Sequence, residues 1–227
     1  MTGALLIAAL HDGQWGASLA ALLQRLGFAP HLAAPGTALA PASAGTVGLV
    51  IAGPGTTLPP TLLEGWHAAG ALCAVAVPPG KHADHGAFVA RLPVPTTEVA
   101  ILAMLAERHY LALPAHEAAA IPAAIAAQTL GDKSFAVELL QALVSSAQAD
   151  LAQLRAAGTE LETCGSIAHR MKSSAHYVGC DALRVLAQRM EDAARSGDAG
   201  TVMALRAVFE PTCARLIELL MALAART

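Results

Sequence analysis

Residues 166–183 read "SIAHRMKSSAHYVGCDAL", a stretch that sets a histidine, a lysine three positions later and two serines into a helical segment of an alanine- and leucine-rich chain. At about 100° per residue, His169, Ser173, His176 and Cys180 share one narrow sector with Lys172 at its edge, while Ile167, Met171 and Val178 lie opposite. The apolar side is expected to pack inward and His169 to point outward, where another protein can reach it. Gly179 is expected to end the helix and keep the exposed patch short.

This face suits phosphoryl transfer to the imidazole. A neutral ring nitrogen is a nucleophile, and the group it accepts brings close to two negative charges that need neutralising. Lys172, one turn on, supplies a cation for them. Ser173 and Ser174 are small, offer hydroxyl donors and leave room for an incoming active site.

Around this stretch, everything after residue 110 reads as helix. "PAHEAAAIPAAIAAQTLGD" (114–132) is an alanine-rich connector and first helix, and "KSFAVELLQALVSSAQADLAQLRAAG" (133–158) is a long amphipathic helix closed by Gly158. The segments at 159–179, 181–197 and 198–227 follow, each stopping at a glycine or at the chain end. Connectors this short favour antiparallel neighbours in a bundle. Pro211 is expected to kink or break the last helix, because it lacks an N–H and clashes with the preceding turn.

Before residue 110 the period changes. "ALLIAAL" (4–10), "VGLVIAG" (47–53) and "ALCAVAV" (71–77) are near-continuous apolar runs, as strands buried on both faces must be. Weaker strands are expected at 30–34 and 87–94. Helical segments with glycine stops lie between them, and "TTEVAILAMLAERHY" closes the series. The pattern predicts a (βα)5 unit with a small open parallel sheet, so the fold class is α/β followed by all-α, divided at 1–110 and 111–227.

Composition narrows the function. A net charge of −3 and a pI near 6.3 give no bulk reason to expect nucleic-acid binding. Residues of hydrophobic type make up 55 %, yet no apolar run approaches the roughly 20 residues that span a bilayer, and no membrane insertion is expected. "MTGALLIAALHDGQWG" lacks a basic leader segment and reads as a first strand, not a signal peptide. Cys73, Cys164, Cys180 and Cys213 form no CxxC pair and read as core fillers in a reducing cytoplasm. No cofactor is expected. "HADH" offers His82, Asp84 and His85 in one short loop without a distant partner, so no metal site is expected. "AGPGTT" lacks the lysine of a phosphate loop and reads as a turn, and Trp15 and Trp66 read as packing residues.

"AHRMKSSAHYVGCDAL" resembles the signature of histidine phosphotransfer (HPt) domains: a histidine, a lysine at +3, a small pair at +4 and +5, a glycine at +10 and a leucine at +14. Here those are His169, Lys172, Ser173 with Ser174, Gly179 and Leu183. "LGDKSFAVELL" resembles the family's opening of the second helix and "LAQRMEDAARSGD" its following helix and turn, so the resemblance covers roughly 115–227. It implies a four-helix bundle without catalysis of its own. His169 would carry a phosphoryl group stabilised by Lys172, with Ser173, Ser174, His176 and Gly179 at the docking face. The implied partners are receiver domains of a hybrid sensor kinase and of a response regulator. Position +4, often glycine in the family, is Ser173, which narrows the approach to His169.

The first half resembles a response-regulator receiver in architecture and departs from it in motif. The stretches corresponding to the receiver's acidic residues, phosphorylatable aspartate, hydroxyl residue and lysine read His11–Asp12, Ala52–Gly53, Val77–Pro78 and Leu92–Pro93. Only Asp12 survives in kind. With no carboxylate at 52 or 53, and one acid where Mg²⁺ wants an octahedral oxygen set, a pseudo-receiver that binds without reacting is expected. "PPGKHADHGAF" is also short for a full fourth helix. The alternative to a phosphorelay intermediate is a non-catalytic adaptor that sequesters a kinase or regulator, and phosphate incorporation at His169 separates the two. The chain could also be the detached end of a hybrid sensor kinase. It holds nothing like an ATP-binding domain, so it is not expected to be the kinase itself.

Overall fold

The computed structural model describes residues 2–7, 13–35, 47–56, 58–80 and 89–226, and the chain divides into two compact units, residues 1–108 and 109–227. In the first, strands β1 (Thr2–Ile7), β2 (Phe28–Ala33), β3 (Val47–Ala52), β4 (Leu72–Val77) and β5 (Val89–Pro93) form one parallel sheet in the order β2-β1-β3-β4-β5. Every residue of β1 is buried, as are Leu49–Ala52 of β3 and Cys73–Ala76 of β4. That is why these runs lack polar alternation. Helix α1 (Gly13–Arg25) packs Leu19 and Leu23 inward, α2 (Pro60–Ala68) Leu63 and Trp66, and α3 (Glu98–Glu107) Ile101, Leu102 and Leu105.

Five strands therefore stand where the sequence places them, with three helices among the described residues. The stretches after β2 and β4 fall largely outside those residues, and so do His11, Asp12, His82, Asp84 and His85, with the readings attached to them. The strand order reverses between β1 and β3, the switch point at which open α/β sheets of this order bind ligands. There Ala52 ends β3 and the Gly53 N–H donates to the Ile7 carbonyl at 2.7 Å.

One correspondence moves. Leu92 lies inside β5 and is fully buried, and the strand runs through Pro93, so the residue–proline step after the fifth strand is Val94–Pro95. Strand alternation explains this: Leu92 points into the core while Arg91 and Pro93 face out. Neither Leu92 nor Val94 carries an ammonium. Trp66 is a packing residue, and Trp15 donates Nε1–H to Thr96 Oγ1 at 3.4 Å, tying α1 to the turn before α3.

The second unit holds α4 (Ala115–Gln128), α5 (Lys133–Ala156), α6 (Leu161–Tyr177), α7 (Asp181–Arg195) and α8 (Ala199–Ala224). The four long helices α5 to α8 form the bundle, with the closest packing between α6 and α7 and between α5 and α8. Its core includes Leu140, Ile167, Met171, Met190, Leu205 and Phe209, each no more than 1 % exposed. Asp132 caps α5 by accepting from the Phe135 N–H at 3.0 Å, and Asp198 caps α8 by accepting from Thr201 at 3.0 Å.

Pro211 does not break the last helix: α8 is continuous from Ala199 to Ala224. Ala207 and Pro211 are both exposed, so the carbonyl that loses its donor sits on the solvent side. On the inner side Val208, Phe209, Thr212 and Cys213 are buried, and Thr212 Oγ1 donates to the Val208 carbonyl at 2.7 Å while accepting from the Ala112 N–H at 3.0 Å. Tertiary packing outweighs one missing hydrogen bond. The same holds for Pro122, which lies inside α4.

Candidate functional site

Helix α6 divides as its sequence implies, with Cys164, Ile167, Ala168, Met171 and Ala175 buried. Its C-terminus closes at Gly179, which has φ +73°. The Gly179 N–H donates to the His176 carbonyl at 3.2 Å and the Cys180 N–H to the Ala175 carbonyl at 2.9 Å, the pair of bonds that ends a helix in a Schellman turn. Cys180 departs from the helical wheel. It is fully buried, because the helix has already ended at Tyr177 and the chain has turned inward.

The side chain of His169 is 62 % exposed. It also leans on α7: Nδ1 lies 3.3 Å from Glu191 Oε1. A carboxylate only accepts, so in this contact Nδ1–H is the donor, and Nε2 is turned away from Glu191. Glu191 gathers cations as well. Lys172 Nζ lies 2.6 Å from its Oε2 and 2.9 Å from Gln188 Oε1, and Arg195 Nη2 lies 2.6 Å from its Oε1. The bond from Lys172, reinforced by that from His169, holds the Glu191 carboxyl below its ordinary value, against an opposing desolvation. Lys172 is thus part-buried and paired within the protein, where the sequence alone suggested a free cation.

The remaining residues of the sequence-derived set are spread along α6. Ser173 Oγ donates to the His169 carbonyl and Ser174 Oγ to the Arg170 carbonyl, both at 3.4 Å, so both hydroxyls lie against their own helix. His176 is exposed in the last turn, with its ring centroid 6.2 Å from that of Tyr177. Arg170 turns the other way, to the buried Asp150 on α5 at 2.6 Å, and so anchors α6 from behind His169.

Beside His169 runs a groove of about 500 Å³, lined on α6 by Leu161, Glu162, Gly165 and Ser166 and on α7 by Glu191, Ala194 and Arg195. A Cβ on Gly165 would stand 3.0 Å from that of Ala194, so glycine permits the close approach of α6 and α7. The start of α7 is held from α4: Glu117, buried, accepts the Ala182 N–H at 3.1 Å. Glu191, Arg195 and Gln188 are absent from the sequence-derived set. Their signal was the polar i, i+3, i+7 stripe of "QRMEDAAR", which a single helix cannot distinguish from a solvated face.

Residues 138–226 match the family model described as Hpt domain. The chain carries an Hpt domain. The match begins within α5 and leaves α4 outside it, a narrower span than the resemblance drawn from the motifs. No curated protein and no solved structure matches the chain. Hpt domains are phosphocarrier modules of two-component signalling that work with receiver domains and have no kinase activity, and the match supports a phosphotransfer role in two-component signalling for residues 138–226. The N-terminal sheet is receiver-like in strand order alone. Among the described residues no helix is long and apolar enough to cross a membrane, and no group of His, Cys, Asp and Glu side chains could hold a metal ion.

Proposed function

We propose that the chain is a phosphorelay intermediate in which His169 takes a phosphoryl group from the aspartate of one receiver domain and passes it to another. The observation that carries this is the exposed imidazole of an Hpt domain whose Nδ1 is tied to Glu191 and whose Nε2 is open. The Nε2 lone pair forms the N–P bond as the acyl P–O bond of the donor breaks, and the departing oxygen keeps its electron pair as carboxylate. The ring keeps the Nδ1 hydrogen and becomes cationic, with the Glu191 carboxylate beside it to balance the charge. Lys172 stabilises the phosphoryl oxygens, and Ser173, Ser174, His176 and Gly179 belong to the face on which the receiver docks. The partner's acidic pocket and Mg²⁺ supply the remaining catalysis.

In this reading the partners are receivers of a hybrid sensor kinase and of a response regulator, and the setting is cytoplasmic. Residues 111–227 form the carrier, and residues 1–110 form a pseudo-receiver that binds or regulates without being phosphorylated. The absence of a carboxylate at Ala52 and Gly53 supports the second assignment.

The test is to mix the chain with phosphorylated receiver domains and follow the label. Transfer to the wild-type chain is expected, giving an acid-labile, base-stable adduct that is absent from His169→Gln. That variant should keep its helical content and lie within about 0.5 kcal/mol of wild-type stability, as befits a surface position. Label persisting in His169→Gln would remove the assignment.

A further inference from the structure

One carboxylate oxygen serves two donors at this site. Glu191 Oε1 lies 2.6 Å from Arg195 Nη2 and 3.3 Å from His169 Nδ1, so the guanidinium holds the shorter contact and the imidazole the longer one. Arg195 is free to move: its side chain is 66 % exposed, and its other ion pair is the exposed contact to Asp192 at 3.1 Å on the same helix. It also lines the groove that His169 lines. The two donors sit within hydrogen-bonding range of one atom and line one groove, so guanidinium and imidazole are close neighbours.

We infer that Arg195 and His169 exchange Glu191 when His169 is phosphorylated. In the free protein Arg195 occupies Oε1 and keeps Glu191 only loosely on the ring. The arriving phosphoryl group presents up to two negative charges, and Arg195, with its fork of donors, turns from Glu191 to those oxygens. Oε1 then passes wholly to the Nδ1–H of the ring, which has become cationic. Each charge created by the transfer meets an opposite charge already in place, and no new group is recruited. When the phosphoryl group leaves, Arg195 returns to Oε1. Arg195 is therefore a positioning residue that acts through Glu191 before transfer and on the phosphoryl oxygens after it. The charged groups around the ring are Glu191, Lys172 and Arg195, and Glu162 lines the same groove two turns earlier on α6. The inference rests on His169 being the acceptor.

The experiment uses the full chain in two states. In the unphosphorylated chain, ¹⁵N shifts of the His169 ring report the fraction of Nδ1–H tautomer. That fraction should rise in Arg195→Ala, and the rise should vanish in the Glu191→Ala background, where nothing is left to exchange. In the chain labelled by a phosphorylated receiver and then separated from it, Arg195→Ala should lose label about three- to five-fold faster than wild type, the size of one exposed charge contact. Arg195→Lys should restore part of the lifetime, and Arg184→Ala, which breaks the exposed pair with Asp181 on the same helix, should leave it unchanged. Unchanged tautomer and lifetime in Arg195→Ala, with His169 labelled normally, would overturn the exchange alone. A tautomer shift that survives in Glu191→Ala would also overturn it, because Arg195 would then act through its field and not through the shared oxygen. If His169 takes no label in the wild type, the acceptor assignment and the exchange fall together.

Discussion

Glu191 has two oxygens and three donors around it: Lys172 on one oxygen, His169 and Arg195 on the other, while Lys172 also donates to Gln188 Oε1. Its carboxyl is held low chiefly by the bond from Lys172. A group whose folded value is lowered contributes stability that is fully present above the ordinary carboxylate value, about 4.3, and is lost as pH falls through the lower folded value. Urea denaturation of wild type and Glu191→Gln should therefore differ by a constant amount at neutral pH, with the gap closing in acid. A gap that widens in acid would mean that the carboxylate is a burden on the fold. Lys172→Ala should slow transfer or shorten the life of phosphohistidine several-fold without abolishing it, because the nucleophile remains. Kinetics that stay the same at low and moderate salt would reduce Lys172 to a structural pair with Glu191. The cysteines belong to a different category: burial lifts the thiol of Cys73 to about 11 and that of Cys180 to about 12, so neither is poised as a thiolate near neutral pH.

At the scale of elements, the site depends on how closely α6 and α7 lie. Gly165 sets that spacing, since a side chain there meets Ala194. Gly165→Val should force the helices apart and cost about 1–3 kcal/mol as an overpacked contact. It should also lower phosphoryl acceptance more than the lost stability explains, because His169 and Glu191 stand on opposite sides of the gap. Thermal denaturation together with transfer rates at a temperature where the variant is fully folded would separate the two effects. Acceptance at the wild-type rate would show that the helix spacing does not matter to the chemistry. Gly179→Ala tests the other end of α6. Its positive φ penalises any Cβ, by about 1 kcal/mol, while the nearest outside atom, Ala124 Cβ, is at an ordinary 3.6 Å. The variant should be folded and slightly less stable, with His169 still reactive.

For the whole molecule, the question is what the first unit contributes. Its third strand ends at Ala52, and the residue before the proline after its fifth strand is Val94, so neither the carboxylate nor the ammonium of a phosphorylatable receiver is present at those positions. Full-length His169→Gln offered a small phosphodonor with Mg²⁺ should take up no phosphate anywhere. An acid- and base-labile acyl phosphate in that variant would locate an acceptor carboxylate in the first unit, with Asp12 the first to examine.

Much of this was legible along the chain. Continuous apolar runs marked β1, β3 and β4, because a strand covered on both faces has no place for polar alternation. The 3.6-residue period sorted Ile167 and Met171 from His169, and Gly179 closed the helix for a backbone reason that one residue suffices to state. Tertiary structure alone decided the rest. Glu191 and Arg195 reach His169 from a neighbouring helix, and the polar stripe that holds them looks, along α7 alone, like any solvated face. Pro211 stays helical because buried neighbours and Thr212 hold the segment, Cys180 turns inward because the wheel stops with the helix, and Leu92 is a core residue because it lies within its strand, on the side that faces inward. Periodicity along a chain reports which side of an element is apolar. Which charged side chain meets which across two elements is set by their packing distance and register, and those exist only once the chain has folded.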